Sequence, residues 1–196
     1  MPVARAVPAL ALSVVVAFTP DHSAPLGYVS FGVFAVVTGA ILAASGLRLG
    51  ARGVTRSVTI AQGLVSVVAG IVALALPAGG LPFFVFLLSA FAAITGFLEL
   101  YLGLRGRGRD QSARDWVFVG GLTVVLAIVM LLVPPEFQHV FSGPDDIERE
   151  LTASVIIVGA LGAYWAIVGV YLVIAGLSLK WAKTDVVAPV TEEASR

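Results

Sequence analysis

The sequence predicts an all-α polytopic membrane protein with six transmembrane helices, arranged as three parallel two-helix repeats. Three observations predict this class: a hydrophobic fraction of 59%, a mean hydropathy of +1.01, and only 12% charged residues. A soluble globular chain carries roughly twice that charge. The 196 residues leave room for six short spans and little else, so no soluble catalytic domain is expected. The chain has no cysteine, which excludes disulfides, thiol catalysis and thiolate metal sites.

A recurring pattern of proline and glycine divides the chain into three copies. In each copy a proline is followed by a glycine, and a second glycine follows the first after seven residues. The three sets are Pro20, Gly39 and Gly46; Pro77, Gly96 and Gly103; Pro134, Gly169 and Gly176. The interval from the proline to the first glycine is equal in the first two copies and nearly twice as long in the third, which therefore carries an insertion rich in acidic side chains. Such self-similarity indicates one repeated supersecondary unit.

Six apolar segments follow one another, and each is expected to form a membrane span of about 20 residues. We place them at residues 1–19, 26–47, 58–76, 81–104, 116–133 and 151–179. The first could alone pass for a signal peptide, but it fills the first-helix position of the first repeat, so we interpret it as a retained helix. The predicted domain covers residues 1–183, with repeats at about 5–48, 57–105 and 114–180. Residues 184–196 are expected to form a disordered cytoplasmic tail.

The distribution of charge predicts the orientation of these spans. Eleven of the twelve Lys and Arg residues fall in the N-terminus, the 48–57 and 105–115 loops and the C-terminal tail. The opposite side carries only Arg149, together with several carboxylates. By the positive-inside rule both termini are cytoplasmic, in a multi-pass protein of the bacterial plasma (inner) membrane. All three repeats then enter the membrane in the same sense, around a pseudo-threefold axis along the membrane normal.

The paired glycines are expected to lie where helices pack against each other. A spacing of seven residues places both on one helix face, two turns apart. In lipid, small residues allow backbones to approach closely. We therefore assign helix packing, rather than ligand binding, to Gly39, Gly46, Gly96, Gly103, Gly169 and Gly176. Gly79, by contrast, falls in the turn between the third and fourth spans, where a substitution is expected to be tolerated.

Glu99 is the one acidic residue inside a predicted span. A carboxylate at membrane depth is costly and is by default a functional hypothesis. The alternative is a satisfied structural contact with Gln62, with Arg56, whose long side chain can reach inward, or with the hydroxyl of Tyr171. We favour the structural reading and expect Glu99 to contact the third helix or a cytoplasmic arginine rather than an open central cavity.

Both histidines, His22 and His139, fall on the predicted outer side near acidic residues. Histidine changes charge between about pH 5 and 8, so this surface could respond to external pH. The alternative, which we favour, is a solvated acidic loop. No metal-ligand spacing is recognisable there, and we expect no metal or other cofactor.

The remaining polar segments offer little chemistry. The loop from Arg105 to Asp110 is basic and glycine-rich but lacks the Lys-Ser/Thr ending of a phosphate-binding loop. Its expected partners are the anionic headgroups of the lipid bilayer, at about 1 kcal/mol for each basic residue near the surface. A homo-oligomer or a membrane-protein partner is left open, and no nucleic-acid partner is expected. No catalytic constellation is recognisable, so an enzyme is the least favoured class.

A set of positions along the whole chain carries a family resemblance. These positions are Arg56, Gly63, Gly70, Pro77, Gly96 and Gly103-Leu104-Arg105, followed by Trp116, Gly120 and Pro134. The pattern resembles the HdeD family of small bacterial inner-membrane proteins associated with acid resistance. The resemblance implies a non-enzymatic, stress-related protein that acts through membrane, lipid or partner contacts. The alternative function is a transporter or channel for a small solute or protons. The acidic insertion and the weak first helix depart from the family pattern.

Overall fold

A computed structural model describes residues 2–48, 53–110, 112–142 and 148–186. Within these residues the chain forms six helices and one two-stranded hairpin. Their bounds are α1 Pro2–Phe18, α2 Ala24–Arg48, α3 Gly53–Ala75, α4 Gly80–Gly106, α5 Ala113–Leu132, β1 Gln138–Ser142, β2 Glu148–Thr152 and α6 Ala153–Val186. The predicted predominance of helix is confirmed.

Five of the described helices, α2 to α6, are long and apolar enough to cross a membrane. Helix α1 has 17 residues, which span about 26 Å at about 1.5 Å per residue, somewhat less than a hydrocarbon core of about 30 Å. Pro8 lies inside α1 without ending it. Helix α3 begins at Gly53, five residues before the predicted start, because the polar residues Thr55, Arg56 and Ser57 continue the helix beyond its apolar part.

The insertion of the third copy forms a hairpin that the helical prediction did not include. Strands β1 and β2 pair antiparallel there, with Gln138 opposite Thr152 and His139 opposite Leu151. The amide of Ala153 then donates to the carbonyl of Phe137 and joins the hairpin to the start of α6. Residue 151, predicted to begin the last span, is therefore in a strand. The insertion lies beyond the ends of the helices, so no helix satisfies its backbone groups. Its two strands satisfy them by pairing with each other.

The most intimate helix pairs are α2 with α3, α4 with α5, and α1 with α6, rather than the two helices within each predicted repeat. Glycines allow these approaches. A Cβ added at Gly39 would lie 2.7 Å from the carbonyl oxygen of Gly63, and one added at Gly103 would lie 2.6 Å from the amide nitrogen of Val117. Each glycine thus faces the backbone of the neighbouring helix, which no larger residue permits without a shift.

The same glycine positions recur along the other seams. Gly46 faces Ile60 on α3, and Gly96 faces Gly120 and Val124 on α5. On α6, Gly169 lies against the side chain of Leu10, and Gly176 lies against Val3 of α1. The α1–α6 seam is therefore filled by side chains, whereas the other two seams bring backbone close to backbone.

Gly79 does not behave as predicted. The turn from Leu76 to Gly79 is closed by a 3.0 Å backbone hydrogen bond, and Gly80 has φ +78°, a conformation that favours glycine. However, a Cβ added at Gly79 would lie 2.7 Å from the hydroxyl of Tyr28. That hydroxyl donates to the carbonyl of Gly80 at 2.9 Å. The turn is packed against α2, so the expectation that a substitution there is tolerated is wrong.

Aromatic side chains fill the middle of the bundle. Phe31 contacts Phe91 edge to face, with ring centroids 5.0 Å apart, and Phe34 packs on Trp165 at 5.1 Å. Phe84 joins this layer through Phe31. These rings come from α2, α4 and α6, so the even-numbered helices supply most of the large core side chains. Helices α1 and α3 contribute mainly small residues to the core, whereas α5 adds Leu126 and Met130.

Large apolar side chains also cover the outside of the bundle. They are distributed over all six described helices and include Phe86, Phe97, Leu131, Leu132 and Ile174. A helix that is apolar on every face is typical of the core of a large protein or of a membrane span. At the C-terminal end, α6 continues to Val186, three residues into the segment predicted to be disordered. Residues 187–196 lie outside the described part of the chain.

Candidate functional site

The centre of the candidate site is an ion pair between α1 and α4. An Nη of Arg5 donates to Oε1 of Glu99 at 2.6 Å. The Arg5 side chain is 14% exposed and the Glu99 side chain 3% exposed, so both charges are largely withdrawn from solvent. Taking two charges out of water is expensive, and their attraction offsets this cost only when the geometry is good. The short contact gives each of these buried groups a specific partner of opposite charge.

The three partners predicted for Glu99 are not the ones that the structure brings to it. Arg56 is exposed near the start of α3 and Tyr171 is bonded elsewhere. Gln62 lies in the same cavity as Glu99, but Glu99 is bonded to Arg5. The reason is the packing of α1, whose antiparallel course beside α6 carries Arg5 to the depth of Glu99. A signal for this was present in the sequence, since the interval from Arg5 to Gln62 equals the interval from Pro20 to Pro77.

Tyr171 forms a second polar contact, between α6 and α5. Its hydroxyl donates to Oδ1 of Asp115 at 2.9 Å, and its ring stacks on Phe118 with centroids 4.0 Å apart. Asp115 stands in the first turn of α5, where a negative charge interacts favourably with the positive end of the helix dipole. This contact ties the beginning of α5 to the later part of α6.

A cavity of about 410 Å³ lies between the helices at the end of the bundle where α1 begins. Glu99 lines this cavity, so the expectation that it avoids an open cavity is wrong. The expected contact of Glu99 with an arginine from the predicted cytoplasmic set is present, through Arg5. The lining combines charged, polar, aromatic and apolar groups from α1 to α6. The residues are Pro2, Arg5, Leu42, Ser45, Gly46, Thr55, Thr59, Gln62, Glu99, Leu102, Asp110, Ser112, Asp115, Trp116, Val119 and Leu172. Because Pro2, Asp110 and Ser112 belong to helix ends and loops, the cavity reaches the surface at this end. We refer to it as the end cavity.

Gln62 gives the end cavity a free polar group. Its side chain is only 3% exposed, and it makes no side-chain hydrogen bond to any residue that the structure describes. An amide can donate two hydrogen bonds and accept two. The amide atoms of Gln62 are not among the enclosed polar atoms without a partner, so they are open to the cavity, where water or a ligand can form hydrogen bonds with them. This amide stands in the lining of the cavity that also contains the Arg5–Glu99 pair.

A layer of further polar groups lies beyond the cavity, toward the aromatic core. The hydroxyls of Tyr164 and Thr123 are 2.7 Å apart, and the Tyr164 hydroxyl lies near enough to Arg5 and Glu99 to interact with both charges. Within the described part of the chain, Nε of Arg5, Oγ1 of Thr38 and Nε1 of Trp165 are buried without a hydrogen-bond partner. The sequence analysis did not identify Arg5 as a site residue.

The two histidines are not part of this site. His22 precedes α2, with its ring Nδ1 3.4 Å from the carbonyl oxygen of Pro20. His139 is exposed on β1 of the hairpin. Among the described residues no group of three His, Cys, Asp or Glu side chains could hold a metal ion. Asp145 and Asp146, which belong to the predicted acidic surface, lie outside the described residues.

The apolar helices and their apolar outer surface define a class, the multi-pass helical membrane proteins. Residues 61–133, which cover α4, α5 and most of α3, match a family described as "Short repeat of unknown function (DUF308)". The match supports a membrane-type repeat family for this part of the chain. No curated protein and no solved structure matches the chain.

Proposed function

We propose that the protein is a six-span integral protein of the bacterial plasma membrane, of the HdeD type, built from three parallel two-helix repeats with both termini in the cytoplasm. Its role is non-enzymatic and stress-related, and it acts through contacts with lipid or with another membrane protein. The observation that carries this proposal is the apolar outer surface of a repeated helical bundle. Its odd-numbered helices follow one another at a constant interval, which is the interval from Pro20 to Pro77 and from Pro77 to Pro134.

Equivalent burial of the odd-numbered helices supports the repeat. Four positions in α1 are buried, and the residues at the same positions relative to the next two prolines are buried in α3 and α5. The four sets are Ala6, Gly63 and Gly120; Ala9, Ser66 and Thr123; Ser13, Gly70 and Ala127; Val16, Ala73 and Met130. The first glycines of the even-numbered helices, Gly39, Gly96 and Gly169, each face an odd-numbered helix. Three similar units around one axis account for both patterns.

The packing of α1 supports a sixth span. Three glycines of α6 contact α1 along its length: Gly176 faces Val3, Gly169 faces Leu10, and Gly162 faces Val16. Helix α1 therefore covers the same depth as the central part of α6, although it has only 17 residues. A short span is accommodated by local thinning of the bilayer or by flanking residues that reach the interface, at a modest cost.

The basic end of the bundle supports the orientation and the lipid contact. Arg105, Arg107, Arg109 and Arg114 are exposed at the junction of α4 and α5. Each basic residue near an anionic membrane surface contributes about 1 kcal/mol. The opposite end carries the hairpin and Pro20, Pro77 and Pro134.

A topology experiment tests this proposal. A fluorescent reporter that folds only in the cytoplasm is fused after Arg196, and a second fusion carries it between the segments of β1 and β2, after residue 144. Fluorescence from the first fusion and none from the second are expected. The reverse result would contradict the orientation. A strain that lacks the protein should also survive acid exposure less well than the parent strain, and equal survival would remove the acid-stress role.

Transport of a small solute or protons is a second candidate, and the end cavity favours it. The cavity leads from one end of the bundle to a buried ion pair, as a transport pathway would. The aromatic layer beyond Glu99 argues against transport, because side chains such as Phe31 and Phe91 fill the core between the cavity and the other end of the bundle. Proteoliposome measurements distinguish the two candidates. A proton flux that disappears in Glu99→Gln would establish the transporter, and equal permeability of wild type, variant and empty liposomes would exclude a proton pathway.

A further inference from the structure

The end cavity has the dimensions of a binding site for a small molecule. Its volume of about 410 Å³ falls in the range of about 300–1,000 Å³ typical of ligand pockets. Apolar residues such as Leu42, Leu102 and Leu172 form much of its wall, and a small number of polar groups project among them. Pockets of this composition obtain affinity from the apolar wall and specificity from the polar groups.

The charges in the lining do not balance. Arg5 neutralises Glu99, with which it forms the 2.6 Å contact. Asp110 and Asp115 remain, and their identified partners are neutral, the amide of Ser112 and the hydroxyl of Tyr171. The described lining residues therefore carry an excess of negative charge. Asp110 is exposed, so solvent and salt screen its charge as they screen the exposed arginines at 105, 107 and 109. Arg114 does not line the cavity but lies near enough to Tyr171 to interact with it, so it offsets part of the charge of Asp115.

Two further groups in the lining point to a ligand rather than to a solvated acidic surface. Gln62 is buried, faces the cavity, and has no hydrogen-bond partner among the described residues. Trp116 is half-buried in the lining. The face of an indole attracts a cation, and more strongly when water is excluded. An amide without a partner among the described residues, an indole and a carboxylate without an ion-pair partner in the described lining therefore occur together in one concave wall.

We propose that the end cavity binds a small organic cation, namely an aliphatic amine. The ammonium group donates to the free oxygen of Asp115 and to the amide oxygen of Gln62, and it lies within reach of the Trp116 ring. The carbon chain contacts the leucine wall. An anion would instead meet the carboxylates of Asp110 and Asp115, because Arg5, the one guanidinium among the described lining residues, is already paired with Glu99. This site goes beyond the proposed function and does not depend on the orientation of the protein in the membrane.

Tryptophan fluorescence of the purified full-length protein in detergent tests the proposal. The chain has three tryptophans, and a Trp181→Phe background removes the exposed one, so Trp116 and the buried Trp165 remain. The probes are 1,4-diaminobutane, the neutral 1,4-butanediol and the dianion succinate, which share one chain length. A saturable change with the diamine alone is expected. Saturation with succinate but not with the diamine, or no saturation with any probe at millimolar concentration, would overturn the proposal.

Matched variants locate the binding. Asp115→Asn retains an acceptor for Tyr171, and Gln62→Val introduces the residue type that Val119 supplies at the equivalent position of the third copy. Each is expected to weaken diamine binding by about tenfold or more, since a hydrogen bond to a charged group contributes about 1.5–3 kcal/mol. Asp21→Asn, at the opposite end of the bundle, is the control and should leave binding unchanged. Thermal unfolding of each variant verifies that it is folded. Equal weakening by Asp21→Asn, or unchanged affinity in both folded cavity variants, would contradict the site.

Discussion

The Arg5–Glu99 pair allows a stringent test of the packing, because the chain itself supplies suitable replacements. The equivalent positions of a neighbouring copy hold Gln62 in place of Arg5 and Leu42 in place of Glu99. Arg5→Gln and Glu99→Leu therefore introduce side chains of a kind that the bundle already accommodates in these surroundings. Each single variant leaves one buried charge without its partner, which typically costs about 3–5 kcal/mol. Replacing both removes both charges and is expected to restore stability to within about 1 kcal/mol of wild type.

The burial of the two side chains predicts an asymmetry between the single variants. In Glu99→Leu, the guanidinium of Arg5 is 14% exposed at the start and can turn toward the end cavity and its water. In Arg5→Gln, Glu99 is 3% exposed and sits in mid-helix, so it has less freedom to find a new partner. The loss should thus lie near the low end of the range for Glu99→Leu and near the high end for Arg5→Gln.

The measurement is reversible unfolding in mixed micelles, with the fraction folded followed by circular dichroism at increasing mole fraction of denaturing detergent. Arg114→Gln is the control, since Arg114 is exposed and an exposed substitution usually changes stability by less than about 0.5 kcal/mol. A double-mutant cycle then gives the coupling energy. If the effects of the two substitutions are additive, or if both single variants are as stable as the control, the ion pair does not hold α1 against α4.

Three further variants test other contacts by the same unfolding measurement. Gly120→Ala should destabilise the bundle by about 1–3 kcal/mol, because its Cβ would lie 2.6 Å from a backbone amide of α4. The control Gly121→Ala places its Cβ in open space and should be neutral or stabilising by up to about 1 kcal/mol. Equal effects of the two variants would contradict the close approach of α4 and α5 at Gly120. Tyr28→Phe removes the bond to the α3–α4 turn and should cost about 1 kcal/mol, and an unchanged unfolding midpoint would show that this bond is dispensable. Thr123→Val removes the partner of the buried Tyr164 hydroxyl and should cost about 1–3 kcal/mol, with a smaller loss when Tyr164→Phe is introduced as well; a larger loss in the double variant would refute the pairing.

The helices could be predicted from the sequence because the signal for them is local. Continuous apolar runs end at prolines and at basic loops, and the five longer helices begin and end within a few residues of the predicted spans, except at the polar start of α3 and the far end of α6. The positions at which helices approach closely could also be predicted, since glycines seven residues apart in an apolar helix allow another helix to pack against them. The sequence did not indicate which helices meet at those glycines, because that depends on how the hairpins assemble.

The site was harder to predict for the same reason. Gln62, named from the sequence as a partner of Glu99, lines the same cavity without bonding to it. Lateral position cannot be counted along one helix, so only the repeat interval, which makes Arg5 the counterpart of Gln62, indicated that α1 would bring Arg5 to the same place. The hairpin was missed because an insertion rich in acidic side chains suggests a solvated loop. Gly79 was misjudged because the turn was considered without Tyr28, which comes from a helix far away in the sequence.

The proposed repeat also suggests why the polar site stands where it does. At the level of the ion pair, the odd-numbered helices supply Arg5, Gln62 and Val119, and the even-numbered helices supply Leu42, Glu99 and Leu172. All six line the end cavity. Each ring of three thus contains one charged residue, and the two charges are opposite and in contact. Three identical copies with both residues would have placed three guanidiniums and three carboxylates around the axis, and taking six charges out of water is expensive even when they are paired. A single ion pair requires the three copies to carry different residues at these two positions. In the third copy the residues are Val119 and Leu172, which are apolar. The divergence of the repeats at this level is therefore what allows a charged pair, and the amide beside it, to stand in an otherwise apolar bundle.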